Sequence, residues 1–167
     1  MAIMKAIVAV DRDWAIGKDG NLLYHIPEDM EFFKETTINH VVVMGRKTFD
    51  SIGDKKLLRR KNIVLTHNSA NYKNSASRTF MSFNKFNTVF EKDSSNRVYF
   101  IIGGEEVYKK YYRQCREIYV TMIDAEAKDP DRYFPDLNYC KEFKLDKVLG
   151  SGMHNGIKYK FTKWVKV

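Results

Sequence analysis

Asp29 stands directly after Ile26-Pro27-Glu28, in what reads as the first turn of a helix. An i to i+4 step puts Phe33 on the same face, so a carboxylate and an aromatic ring share one wall. Two roles fit the acid: a complement to the helix dipole, or a grip on an amidine-like ligand edge through two parallel hydrogen bonds. Val43-Met44-Gly45-Arg46-Lys47-Thr48 is an apolar strand that ends in glycine and turns basic. Glycine permits close backbone approach, and free amides with Arg46, Lys47 and Thr48 suit a phosphate. An ordinary strand-to-helix turn with solvated charges fits as well. Phe100-Ile101-Ile102-Gly103-Gly104-Glu105-Glu106-Val107-Tyr108 repeats the strand, glycine and helix-start pattern without a G-x-G-x-x-G fingerprint. Tyr108 there suits either a ligand wall or the core. Asp54 to Lys61 gathers Lys55, Lys56, Arg59, Arg60 and Lys61 in one loop. That loop is either solvated or built for a carboxylate or phosphate. Ala15 to Tyr24, with Gly17 and Asp19-Gly20, has the composition of a lid between the first strand and the Asp29 helix.

Short apolar runs must position these residues: Ala6–Val10, Val41–Met44, Ile63–Leu65, Val98–Ile102 and Ile118–Val120. They are continuous and rich in β-branched residues, as in strands buried on both faces of a parallel sheet. Helices are expected at 27–36, with Pro27 near the first position, and at 105–113, acidic at its start and basic toward its end. Ile157-Lys158-Tyr159-Lys160-Phe161 alternates as a strand with one wet face; its pattern slips at Thr162-Lys163-Trp164, as a bulge would cause. Phe143–Leu149 is its expected partner, turning through Gly150-Ser151-Gly152 and Asn155-Gly156. The expected fold is α/β: a single domain over 1–167, with a mostly parallel central sheet, about four helices and an antiparallel C-terminal strand pair.

The 167 residues suit one domain, and 44% hydrophobic content supplies a core. No apolar run approaches the ~20 residues of a membrane span. Residues 1–10 lead straight into Asp11-Arg12-Asp13 and read as a strand, not a signal peptide. Cys115 and Cys140 read as free thiols of a reducing cytoplasm. The scattered His25, His40, His67 and His154 lack ligand spacing, so no metal is expected. The net charge of +8 is uneven: 54–87 holds 8 basic residues against 1 acidic, and 138–167 holds 7 against 2. An anionic partner is implied, of a kind that composition leaves open.

In this order the motifs resemble one family, dihydrofolate reductase. The resemblance rests on Ile7-Val8-Ala9-Val10, Ala15-Ile16-Gly17, Ile26-Pro27-Glu28-Asp29, Phe32-Phe33-Lys34 and Val43 to Thr48. It continues through Ser51-Ile52-Gly53, Arg60-Lys61-Asn62, Ile102-Gly103-Gly104 with Val107-Tyr108, Tyr119-Val120-Thr121, Ile123-Asp124-Ala125-Glu126 and Phe134-Pro135. It implies NADPH-dependent reduction of 7,8-dihydrofolate to tetrahydrofolate, by hydride transfer to pterin C6 and protonation of N5, in support of one-carbon and thymidylate metabolism. Asp29 matches the family's ionisable catalytic group, with a pKa expected above that of a free carboxylate. Thr121 matches the residue that orients it. Ile7, Val8, Met30, Phe33, Ile52 and Ile102 match the substrate's surroundings, and Arg60 matches the arginine that pairs with the glutamate tail. Ala9, Ile16 and Tyr108 match residues around the nicotinamide; Gly45, Arg46, Lys47 and Thr48 match the phosphate segment. Leu65, Thr66, His67, Glu105, Glu106 and Val107 complete the implied cofactor site, with Arg46 and Thr66 or His67 at the 2′-phosphate. Gly103-Gly104 matches a pair joined by a cis peptide in the family. A cytoplasmic monomer with no nucleic-acid or membrane partner is implied.

The chain departs from the family pattern at three places. Leu23-Tyr24 replaces the usual Pro-Trp, which makes Tyr24 the candidate at the proton-delivery water. Lys56-Leu57-Leu58-Arg59 replaces Pro-Leu-Pro-Gly and leaves Arg59 a rival to Arg60. Glu105 and Glu106 stand where the family sometimes has a basic residue. Two other readings fit less well: a same-fold reductase of a pyrimidine-type heterocycle, disfavoured by Asp29 with Arg60, and a basic nucleic-acid-binding protein, disfavoured because the charge is split between two regions.

Overall fold

The computed structural model describes residues 1–52, 57–75 and 78–167. The strands are β1 (Ile3–Val10), β2 (Ala15–Lys18), β3 (Asn21–Leu22), β4 (Val41–Gly45), β5 (Lys61–Leu65), β6 (Arg78–Met81), β7 (Val98–Gly103), β8 (Glu117–Ile123), β9 (Arg132–Tyr133), β10 (Phe143–His154) and β11 (Ile157–Lys166). The α-helices are α1 (Pro27–Thr37), α2 (Arg46–Ser51), α3 (Phe83–Lys92) and α4 (Glu105–Tyr111).

Eight strands form one sheet in the order β10-β11-β8-β1-β7-β4-β5-β6. From β8 to β6 every neighbouring pair is parallel; β11 runs antiparallel to β8, and β10 antiparallel to β11. The continuous apolar runs follow from burial on both faces. Val41, Val43, Ile63, Leu65 and Ile101 join the core under α3 and α4. The alternate residues Val42, Met44, Val64 and Phe100 pack with Phe32 and Phe33 of α1 and Phe49 of α2. The two-residue period thus sends successive side chains to two different cores.

The chain after β1 passes over β7 to β4, and the chain after β7 returns to β8 beyond β1. The strand order therefore reverses around β1 and β7, and a crevice opens at the carboxyl ends of these strands. A second sheet, β3-β2-β9, is antiparallel throughout. It builds the expected lid segment as a small sheet. The buried Asp11 fixes its root: Oδ1 accepts from the amides of Asp13 and Ala15, and Oδ2 from Ala127, each at 2.9 Å.

The C-terminal pair differs from expectation in detail. The turn is Asn155-Gly156 alone, with φ of 49° and 79°, and Gly150–Gly152 lies inside β10. The irregularities fall in β10, between Leu145 and Lys147 and between Val148 and Gly150. β11 pairs with β8 without a break. Its slipped pattern arises because Tyr159 and Phe161 cover one face of the sheet while Thr162 and Trp164 bury into the other. The helix expected at 105–113 ends at Tyr111 and tightens to a 3₁₀ turn over Tyr112–Gln114. Neither α3 nor β6 was expected. Phe83, Phe86 and Phe90 carried the helical spacing, and Ser82 Oγ caps α3 by accepting from the Lys85 amide at 3.1 Å. Gly53 of the Ser51-Ile52-Gly53 motif and Asp54, Lys55 and Lys56 of the basic-loop reading lie outside the described residues, as do Ala76 and Ser77.

Candidate active site

Pro27 starts α1, and Asp29 in its first turn reaches across to β8. The Thr121 hydroxyl donates to Asp29 Oδ1 at 2.6 Å. Burial raises the Asp29 pKa above its ordinary value, and the Thr121 hydrogen bond only partly opposes this. Thr121 is itself buried and pairs in register with Ala9 of β1. Beside them the Tyr108 hydroxyl donates to the Ile7 carbonyl at 2.7 Å. Burial, then the Asp29 charge, push this phenol far above its usual range. Asp29, Thr121, Ile7, Ala9 and Tyr108 therefore meet at one place.

From that point a cleft of about 660 Å³ runs along the carboxyl ends of β1, β7, β4 and β5. Every residue expected at the cofactor lines it: Ala9, Ile16, Gly45, Arg46, Lys47, Thr48, Leu65, Thr66, His67, Ile102, Gly103, Gly104, Glu105, Glu106, Val107 and Tyr108. Glycines form its floor, and added side chains would crowd it. A Cβ on Gly103 or Gly104 would sit 3.1 or 3.2 Å from Thr48 Oγ1, and one on Gly45 3.1 Å from Val107. Gly103 has φ +136°, and the Gly103–Gly104 peptide is cis. Such a bare backbone floor fits a phosphate-bearing ligand.

Of the expected substrate residues, Ile7, Phe33, Ile52 and Ile102 share one apolar cluster on the other face of the sheet. Ile102 also lines the cleft, and Met30 is 48% exposed. Val8 departs from the expectation by packing into the core on the α3 and α4 face and lining only the cleft, because successive strand residues point to opposite faces. Arg60 sits over the Phe33 ring at 5.9 Å; its Nη1 donates to Thr37 Oγ1 at 3.1 Å and its Nε to the Leu58 carbonyl at 3.0 Å. Its rival Arg59 is exposed and turned toward Asn39. Tyr24 packs with Ile26, Ile123 and Tyr159 and shares no hydrogen bond with Asp29. Its phenol is raised first by burial and next by Asp11, at the root of the small second sheet.

Lys18, Asn21 and Leu22 of the Ala15–Tyr24 segment also line the cleft, as do Ser51, Phe83, Lys109 and Arg132, which the sequence did not mark as ligand contacts. Phe83 starts α3 and Arg132 stands on the short β9, where no residue type announces a ligand. Glu105 links these parts: its Oε2 accepts from the Tyr133 amide at 2.5 Å and its Oε1 from Lys109 at 3.2 Å.

Comparison with known proteins agrees on one family. The family model described as dihydrofolate reductase matches residues 3–166. The chain is 39% identical over 132 residues to the dihydrofolate reductase of Bacillus subtilis, covering 79% of this chain and 75% of that protein. With the dihydrofolate reductase of Haemophilus influenzae it shares 35% over 145 residues, covering 84% and 82%. The structure of dihydrofolate reductase from Enterococcus faecalis, complexed with NADP(H) and RAB-propyl, superposes with a TM-score of 0.84 at 29% identity, covering 98% of this chain and 96% of that one.

Proposed function

The chain belongs to the dihydrofolate reductase family, and we propose how its own residues carry that family's reaction, the NADPH-dependent reduction of 7,8-dihydrofolate to tetrahydrofolate. The observation that carries the reading is the Asp29 carboxylate, oriented by Thr121 and raised in pKa, next to Ala9 and Tyr108, which line a glycine-floored cleft.

The pterin offers an amidine-like edge, N3 and the 2-amino group. Asp29 presents two oxygens to such an edge, and Thr121 holds one of them in plane. The raised pKa keeps a proton near the ring toward neutral pH, where N5 must gain one. The Ile7 carbonyl already accepts from Tyr108, so its direction is fixed before a ligand arrives. Phe33, Ile52 and Ile102 supply apolar walls that exclude water from the ring. Arg60 is the tail-binding arginine in this reading. Phe33 and Thr37 hold its guanidinium half-buried, ready for a carboxylate, whereas Arg59 points to Asn39.

NADPH, when bound, supplies the hydride. The backbone of Gly45, Gly103 and Gly104 would take its pyrophosphate, and Ala9, Ile16 and Tyr108 its nicotinamide end, next to Asp29. We place the enzyme in the cytoplasm as a monomer. The support is two free thiols, Cys115 and Cys140, a cleft assembled within one chain, and no helix among the described residues long and apolar enough to cross a membrane.

An absorbance assay with NADPH tests this, using dihydrofolate, a pterin lacking the glutamate tail and a pyrimidine-type heterocycle, on wild type and Arg60→Leu. Dihydrofolate should be the turned-over substrate. The variant should lose ~10-fold or more in kcat/KM for it while the tail-less pterin changes little. Turnover of the pyrimidine alone would reject the assignment, and equal losses on both pterins would remove Arg60 from its role.

A further inference from the structure

The outer end of the cleft carries a pair of residues that the reduction itself does not use. Tyr108, with Asp29 behind it, marks the reacting end and the glycine floor the middle. The far end is walled by Leu65 at the end of β5 with Thr66 and His67 after it, by Phe83 at the start of α3, and by Glu106 on α4. The His67 ring stacks on Phe83 at 5.1 Å with planes 30° apart. That is a flat surface of the kind on which a purine rests. His67 Nε2 lies 3.1 Å from Glu106 Oε1, and the side chains of His67 and Glu106 are 76% and 68% exposed. A dinucleotide with its nicotinamide at Asp29 therefore brings its adenosine to this end, beside an open carboxylate.

NADPH and NADH differ there by one 2′-phosphate. Lys47 lines the cleft, and three other nearby cations are already engaged. Arg46 Nη1 contacts Asp50 at 2.7 Å, Lys109 contacts Glu105 at 3.2 Å, and Lys110 lies over the Phe83 ring at 4.9 Å. The Glu106 carboxylate faces His67 on the same wall, so a phosphate drawn to His67 also meets a negative charge. Like charges at this range in water oppose one another modestly, and salt weakens the effect.

We propose that Glu106 is a specificity-determining residue: its carboxylate beside His67 opposes the 2′-phosphate and limits the preference of this enzyme for NADPH over NADH. The proposal rests on the reading of the cleft as a dinucleotide site. It requires that removing this one charge change the affinity for one dinucleotide and spare the other. Glu106 is on the surface, so its replacement leaves the fold intact.

Equilibrium titrations of NADPH and of NADH, followed by protein fluorescence, test it on wild type, Glu106→Gln and Glu106→Lys. In Glu106→Gln, NADPH should bind about fivefold tighter at low salt, and in Glu106→Lys tighter still. NADH should stay within about twofold in both, and the gain should shrink at ~1 M salt. An equal gain for both dinucleotides, or no gain for NADPH, overturns the proposal. Weaker NADPH binding in Glu106→Gln also overturns it, and would mean that the carboxylate serves to hold the His67 ring in place for the ligand. If wild type binds neither dinucleotide, the cleft assignment falls with the proposal; if it binds both and the variants match it, only the role of Glu106 falls.

Discussion

Burial of the Asp29 carboxylate makes one residue both a catalytic asset and a cost to the fold. Its native pKa lies above the unfolded value because desolvation outweighs the Thr121 hydrogen bond. Between those two values the native state holds more protons than the unfolded chain. Stability therefore falls as pH rises through this window, and the cost is complete above the native pKa. Asp29→Asn keeps an oxygen for Thr121 and loses the charge. It should melt at a higher temperature than wild type at pH 7, with the difference fading on acidification below the ordinary carboxylate value. Turnover should fall ~100-fold or more at neutral pH, with NADPH affinity retained. Thermal melts across pH and single-turnover kinetics measure both, and a variant that stays within a few-fold of wild-type turnover would remove Asp29 from proton delivery. At this scale the sequence was legible where a residue type and its neighbours already imply chemistry, as for Asp29 after Ile26-Pro27. It was illegible for Asp11, whose buried carboxylate gathers the amides of Asp13, Ala15 and Ala127. Nothing local separates it from the exposed Asp13 beside it.

The cleft floor is a property of elements, because it exists only where the end of β7 passes over α2. Gly103 has φ +136°, and an added Cβ would meet Thr48 Oγ1 at 3.1 Å. Gly103→Ala should cost ~1–3 kcal/mol of stability through backbone strain. It should also weaken dinucleotide binding about tenfold by lifting the floor. Chemical denaturation and a dinucleotide titration read the two effects separately, and unchanged binding in a folded variant would show that the floor is not the contact surface. The main parallel strands and the helices α1 and α4 were readable from continuous β-branched runs and from Pro27, Glu105 and Glu106 at helix starts. The sheet β3-β2-β9 was not, because two-residue strands carry no period. The slip in β11 resembled a bulge because a strand that buries opposite faces at its two ends looks, in one dimension, like a strand with an inserted residue.

Across the whole molecule the net charge of +8 is a field that small anions feel. Both dihydrofolate and NADPH are anionic, and Arg46, Lys47 and Lys109 line the cleft while Arg60 stands on the substrate side. Raising ionic strength from ~0.01 to ~0.5 M should lower kcat/KM several-fold and kcat much less, since screening slows capture and not chemistry. Steady-state kinetics in a salt series measure this, and a salt-independent kcat/KM would confine the charge to other roles. The basic C-terminal segment lies away from the cleft. Lys144 and Lys147 stand on the edge strand β10, where charge discourages pairing with another sheet, and Lys158, Lys160 and Lys166 stand on β11 inside it.

The sequence by itself determined the parallel α/β framework, the acid on α1 and the glycine turns after β4 and β7, because each depends on neighbours a few residues away. Only the tertiary structure decided which charges act together. Arg60 came to lie over Phe33 while Arg59 turned to Asn39, Tyr24 was brought near Asp11 at the root of the small second sheet, and Glu106 was set against His67, 39 residues apart in the chain. Coulomb interactions and desolvation depend on distance in space, and the crossovers of a parallel sheet are what bring such distant residues to one end of it.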